Sequence, residues 1–189
     1  MYVVIEGIDT AGKSTQLELL KKNFPNAIFT KEPGGTLLGT KLRAMALGGE
    51  AKSQVAEMFL FLADRAEHIE EIIKNNKDKI VISDRSMISG IAYANQLNLD
   101  KLIELNLIAT QNILPDYVIL LELTPSELKF RLSQKENDSI ELRGIEYLIN
   151  IQNRMKETIQ KIGINHIFID ASLKIEEIEK KIEDFINGK

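Results

Sequence analysis

Close to the N-terminus, Gly7-Ile8-Asp9-Thr10-Ala11-Gly12-Lys13-Ser14 matches the spacing G-x-x-x-x-G-K-[ST] in full, with Thr15 following. Glycines at these positions let the backbone turn until successive N–H groups face one concavity. The Lys adds a point positive charge, and the Ser hydroxyl can ligate a divalent cation. An apolar run precedes the stretch and an amphipathic run follows it, so a helix N-terminus aims its positive dipole end into the same concavity. We expect this loop to cradle the phosphates of a nucleotide, with Lys13 beside the β- and γ-phosphates and Ser14 on Mg²⁺.

A second charged group, Ser83-Asp84-Arg85-Ser86, closes a later apolar run. Asp84 there can hold waters on Mg²⁺, and Arg85 can clamp phosphate oxygens and offset charge that develops during transfer. Standing alone, the pair fits an ordinary strand-end ion pair equally well. Guanine-reading chemistry is not visible. Asn76-Lys77-Asp78-Lys79 has Lys where N-K-x-D needs Asp, and the D-x-x-G at Asp9 lies inside the phosphate loop itself. A small kinase remains, with its acceptor site on the loops beyond the strand ends.

Composition narrows the remaining classes. With no cysteine, disulfides, thiolate metal sites and cysteine nucleophiles are excluded. The two histidines, His68 and His166, lie too far apart in sequence to suggest a metal motif. The net charge of −4 argues against binding a nucleic-acid polymer, but a small anion needs only a local cluster of donors. No apolar run approaches a membrane span, and no secretory signal is visible, so we expect a soluble, cytoplasmic protein. At 189 residues the chain has the length of one domain, taken as 1–189.

The elements that must position these residues alternate. Short β-branched runs at 2–5, 27–30, 80–83, 117–121 and 166–169 read as buried strands. Helical patterns occupy 14–23, 37–46, 54–75, 87–112 (broken near Asn98), 125–134, 144–162 and 173–186. Strands separated by helices imply crossovers, hence an α/β fold with a five-stranded parallel sheet and helices on both faces. The polar segment 133–144 reads as a short mobile lid. Within 54–75, Val55, Phe59, Leu62, Ala66, Ile69 and Ile73 form one stripe that should face the core. Phe61 projects roughly 110° from the middle of that stripe, with Arg65 one turn on. Such a pair can stack on a base and donate to its carbonyl, or serve a helix–helix or dimer contact.

Taken together, these residues resemble the thymidylate kinase family over nearly the whole chain. The resemblance rests on Glu6 through Gln16, then Lys31-Glu32-Pro33-Gly34-Gly35-Thr36, then Phe61-Leu62-Ala63-Asp64-Arg65. Asp84-Arg85-Ser86 with Ser89-Gly90-Ile91-Ala92-Tyr93 follows, then Leu114-Pro115-Asp116 and Asp170-Ala171-Ser172, similar to the family's adenine-side loop. The resemblance implies a P-loop kinase that moves the γ-phosphoryl of ATP to dTMP with Mg²⁺, as a homodimer. A kinase for another small acceptor, such as a different nucleotide or a deoxynucleoside, is the alternative.

By the same resemblance, Phe61 stacks on the thymine and Arg65 binds its exocyclic oxygen. Asp9 engages the acceptor's sugar hydroxyl, and Arg43 and Arg85 clamp its phosphate. Glu32 faces the magnesium and the acceptor phosphate, and Tyr93 packs where a ribose hydroxyl would clash. Four positions depart from relatives. Lys31 stands where many carry Arg, and Ala94 where several carry a polar residue, so hydrogen bonding to the base is either thinner or comes from Ser89. Thr10 and Ser139 occupy the places where one branch or the other supplies a catalytic arginine. The lid cation is then Arg143, Arg131 or Lys135, and of these we expect Arg143.

Overall fold

The computed structural model describes residues 1–134 and 143–188. Five parallel strands form one sheet in the order β2-β3-β1-β4-β5: β1 (Tyr2–Glu6), β2 (Ile28–Lys31), β3 (Val81–Asp84), β4 (Tyr117–Glu122) and β5 (His166–Asp170). Val3, Val4, Ile5, Ile82 and Val118 through Leu121 are almost wholly buried, as strands covered by helices on both faces must be. The helices are α1 (Lys13–Asn23), α2 (Leu37–Leu47), α3 (Gln54–His68), α4 (Met87–Tyr93), α5 (Leu99–Ala109), α6 (Pro125–Leu132), α7 (Ile145–Ile162) and α8 (Ile175–Ile186). Among the described residues, no helix is long and apolar enough to cross a membrane.

Four strands run one residue further than their apolar runs, each ending on a carboxylate: Glu6, Asp84, Glu122 and Asp170. The ladder carries on through them, pairing Ile5 with Asp84 and Glu122 with Asp170. The carboxyl edge of the sheet is therefore acidic, and the phosphate loop leaves from its central strand, where β3 and β4 flank β1.

Local chemistry sets the helix starts. Thr36, Ser53, Ser86, Asn98 and Thr124 each accept a backbone N–H in the first turn of α2 to α6, and Pro125 follows Thr124 at the first helical position. Asn98 thereby divides the long 87–112 pattern into α4 and α5. The 54–75 pattern is not one α-helix. It passes from α3 into a π-helical turn at Ile69–Ile73 and a 3₁₀ turn at Lys74–Asn76.

The expected stripe of α3 is corrected in its N-terminal half. Ile69 and Ile73 are buried, but Val55 and Phe59 remain 47% and 54% exposed. Met58, Arg65 and His68 face inward instead. α3 packs on α2, α5 and α4, and Val55 and Phe59 stay on the face that these neighbours leave open.

Candidate active site

The loop after β1 is shaped by backbone constraints. Gly7 has φ of 151°, and a Cβ there would lie 2.9 Å from the Leu121 carbonyl oxygen. Gly12 opens α1 from the left-handed region at φ 95°. Thr10 adopts φ 70°, where a side chain is strained, and its buried hydroxyl has no partner among the described residues. Ile8 and Ala11 are buried and anchor the turn, whereas Ser14 and Thr15 are exposed on the first turn of α1.

Lys13 is buried, with its ammonium donating to the carbonyls of Gly7 at 2.9 Å and Ile8 at 3.1 Å. Burial, with the Arg85 charge adding to it, lowers the Lys13 pKa to about 8 against the pull of Asp84, Asp9 and Glu6. Asp84 leaves one carboxylate oxygen buried without a partner and lines a cavity of about 380 Å³ together with Ser14, Lys31, Gly34 and Gly35. Among the described residues, no cluster of three metal-ligating side chains exists. A cation here would thus draw on the Ser14 hydroxyl, waters held by Asp84 and the phosphates of a bound nucleotide. The orphaned oxygen of Asp84 fits that role.

Across the loop, Arg85 sits at φ 70° and donates to Asp9 at 2.5 Å, to Ser89 at 3.0 Å and to the Gly7 carbonyl at 3.2 Å. Ser89 in turn donates to Glu6 at 2.5 Å, and Ser86 donates to the same carboxylate at 2.8 Å. Glu6 is fully buried, and burial raises its pKa against these donors. The Tyr93 ring centre lies 5.7 Å from the guanidinium carbon of Arg85. Its hydroxyl is buried without a partner among the described residues, and burial pushes the phenol up to about 12.

Glu32 and Arg65 meet below this layer. Glu32 is buried, one carboxylate oxygen accepting from Arg65 Nε at 2.8 Å and the other lying 2.7 Å from His68 Nδ1. Burial acts to raise the Glu32 pKa, but Arg65 and His68 outweigh it and hold the carboxylate below its usual range. Arg65 also donates to Asn106 at 2.6 Å and to the Ser86 carbonyl at 3.2 Å. A guanidinium has five N–H donors, so these three bonds leave two free. Gly90 makes the fit possible, since a Cβ there would lie 2.7 Å from Arg65 Nη2. Phe61, one turn earlier, is half-buried.

Arg43 folds onto the loop before α2, donating to the Pro33 carbonyl at 2.9 Å. Asp64 accepts the Gly34 N–H at 2.8 Å and stabilises the same loop. The two arginines at the described edges of 133–144 part company. Arg131 reaches the P-loop, donating to the Thr10 carbonyl at 3.0 Å, and joins it to the 170–172 loop through the Ala171 carbonyl at 2.6 Å. Arg143 is exposed and lies over Tyr147, 5.1 Å from the ring centre. Lys135 and Ser139 lie outside the described residues.

The family model for thymidylate kinase matches residues 5–182, nearly the full length of this sheet and its helices. This chain belongs to the thymidylate kinase family. It is 82% identical to a thymidylate kinase of Aliarcobacter butzleri (strain RM4018), aligned over 100% of both chains. It is 59% identical to one of Wolinella succinogenes over 96% of each chain. A crystal structure of thymidylate kinase from Ehrlichia chaffeensis superposes with a TM-score of 0.77 over 98% of both chains, at 24% identity, which establishes the shared fold. The P-loop nucleoside monophosphate kinase expected from the motifs and the resemblance is the reading these relatives support, and the alternative, a kinase for another small acceptor such as a different nucleotide or a deoxynucleoside, is not favoured.

Glu6, Asp64, His68 and Asn106 carry much of the site and were not assigned from the sequence. Three of them had a signal. Glu6 ends an otherwise apolar strand, His68 follows Arg65 by one helical turn, and Asn106 interrupts the apolar stripe of Leu102, Leu105 and Ala109.

Proposed function

We propose that this kinase transfers the γ-phosphoryl group of ATP to dTMP, giving dTDP and ADP for dTTP synthesis, through the residues described above. The observation that carries the assignment of roles is the Asp9–Arg85 pair, which joins the nucleotide loop to the start of α4 at 2.5 Å. Lys13 lies behind the same loop. The cleft thus places a donor cradle and an acceptor clamp on either side of one turn of backbone.

In this reading Lys13 turns from the Gly7 and Ile8 carbonyls to the β- and γ-phosphates, which are stronger acceptors. Arg85 exchanges Asp9 for the acceptor phosphate, and the freed Asp9 takes the sugar hydroxyl. Arg43 supplies the second phosphate contact. The two uncommitted N–H groups of Arg65 face the base beside Phe61, and Tyr93 limits space at the sugar's 2′ position. Mg²⁺, held by Ser14 and by waters on Asp84, would supply charge neutralisation across the β- and γ-phosphates. Catalysis is positioning plus charge stabilisation, with no covalent intermediate.

ADP release measured with ATP and dTMP, dUMP, UMP or dCMP tests the whole. dTMP should be fastest, and Tyr93→Ala should narrow the gap between dUMP and UMP. ADP release that does not depend on the acceptor would sink the reading.

The continuous hydrophobic core supports one kinase domain over 1–189, and consumption of ATP is the ground for a cytoplasmic location, which cell fractionation tests. A homodimer is supported by Met45 and Leu47 of α2 and Val55 and Phe59 of α3. These side chains stay exposed on two helices that pack together. Sedimentation of Phe59→Glu reports on it: a variant as dimeric as its parent puts the interface elsewhere.

A further inference from the structure

The last carbonyls of any helix lack partners within it, and in α4, at seven residues, they make up a large share of the helix. Ala94 follows in extended backbone, so the chain leaves the helix directly. The carbonyls of Ile91, Ala92 and Ala94 are all taken by one side chain from α7. Arg154 donates through Nε to Ala92 at 2.9 Å and through Nη2 to Ile91 at 3.2 Å and Ala94 at 2.6 Å. A guanidinium at this end also complements the negative pole of the helix dipole.

The opposite end of α4 is held by the buried Glu6, which receives both the Ser89 N–H and the Ser89 hydroxyl. The element carrying Ser89 and Tyr93 is thus clamped by an acid at its start and a cation at its finish. The support for that cation is rigid. Two residues before Arg154, Gln152 both accepts from the Leu123 N–H at 2.8 Å and donates to the Leu123 carbonyl at 3.1 Å, tying α7 to the end of β4. Leu148, Ile151, Met155 and Ile159 bury the same helix in the core.

We propose that Arg154 is a positioning residue for acceptor selection. By capping α4 it fixes Tyr93 against Arg85, so discrimination between deoxyribose and ribose acceptors depends on a side chain bonded to neither nucleotide loop nor acceptor clamp. This rests on the reading of Tyr93 given above. The donor side should respond far less, because α4 reaches the phosphate loop only indirectly, through the bonds of Arg85 to Ser89, Gly7 and Asp9. A purely structural residue would disturb both substrates together.

The test is steady-state kinetics of Arg154→Met, which keeps an unbranched stem about as far as Nε and removes the donors, beside Arg154→Lys, which keeps the charge. We expect Arg154→Met to raise the KM for dTMP about tenfold while the KM for ATP moves less than about twofold. The kcat/KM ratio of dTMP to its ribose counterpart, 5-methyluridine monophosphate, should fall about fivefold or more, with Arg154→Lys in between. Equal rises in both KM values, or no change in the dTMP KM, overturn the proposal. Should Arg154→Met fail to fold, Arg154→Lys carries the same readout at about threefold in the dTMP KM. Tyr93→Ala separates the two readings. If Tyr93→Ala lowers the ratio and Arg154→Met does not, Arg154 is no positioning residue for selection. If Tyr93→Ala leaves the ratio intact, the sugar role of Tyr93 falls, and a selective rise in the dTMP KM then supports Arg154 acting through Ser89.

Discussion

On the donor side of the cleft one unbroken stretch from Gly7 to Thr15 makes the cradle, and its working parts are backbone N–H groups and a single ammonium. On the acceptor side, Glu6, Glu32, Arg65, Arg85, Ser89 and Asn106 arrive from β1, the loop after β2, α3, the β3–α4 junction, α4 and α5. The donor side waits for charge to be brought to it, whereas the acceptor side has already paired its own charges. Glu32–Arg65 is buried at 2.8 Å with both side chains at most 5% exposed. Asp9–Arg85 is the looser pair, its side chains 29% and 18% exposed. The difference assigns different tasks to two arginines that look alike in sequence. Arg85 can trade its partner for a phosphate, while Arg65 is bound into the fold and offers only the donors left over.

The largest effect should come from breaking that buried pair. Arg65→Ala leaves the buried Glu32 carboxylate with His68 as its one remaining charged partner, which costs up to about 3–5 kcal/mol of stability. Urea unfolding should show the loss, and the dTMP KM should rise in whatever fraction stays folded. Lys13→Ala should do the reverse. Turnover at saturating substrates should fall by about 10²–10³-fold, the scale of a lost charge-stabilising donor, while stability holds or rises because a buried ammonium is removed. An Arg65→Ala protein as stable as its parent, altered only in dTMP binding, would erase the contrast between the two sides.

A smaller effect sharpens the donor side. Arg131 bridges the P-loop and the Ala171 carbonyl, while Arg143 lies over Tyr147, so we propose Arg131 as the cation and turnover tests it against the expected Arg143. Arg131→Ala should lower turnover about 10–100-fold at saturating ATP and dTMP, and Arg143→Ala no more than a few-fold. Equal small losses would mean that neither arginine touches the transferring phosphoryl group.

The same contrast explains what could be read from the residues alone. The donor loop is local, since its spacing, its glycines and its strand-to-helix setting all fall within one short window. Asn98, splitting two helices, was visible for the same reason, because a cap acts on its own neighbours. The acceptor side is long-range. Glu32 looks like a loop carboxylate facing phosphate, and only the fold brings Arg65 and His68 from a helix 33 and 36 residues away to enclose it. Val55 and Phe59 fit a helical stripe perfectly well, yet periodicity says which residues share a face and not what that face meets. Arg143 and Arg131 are equally polar in sequence, and the approach of α6 to Thr10 is what separates them.

The subtlest test uses pH on the donor side alone. Burial first, and Arg85 second, lower Lys13 to about 8 in the free protein. An unfolded lysine titrates near about 10.4, so between about 8 and 10.4 the unfolded chain binds more protons than the folded one. Stability therefore rises with pH across that window, and below it the cost of the buried charge is present in full. ATP adds negative charge beside the ammonium and should raise its pKa again. Binding above about pH 8 must then take up a proton, and affinity should fall about tenfold between about pH 7 and pH 9. Calorimetric titration with ATP at those two values reads the slope, and Lys13→Ala, though weak throughout, should be flat. A wild-type affinity that holds level over the range would mean that Lys13 stays charged in the empty loop. The donor side would then be as fully prepared before substrate arrives as the acceptor side is.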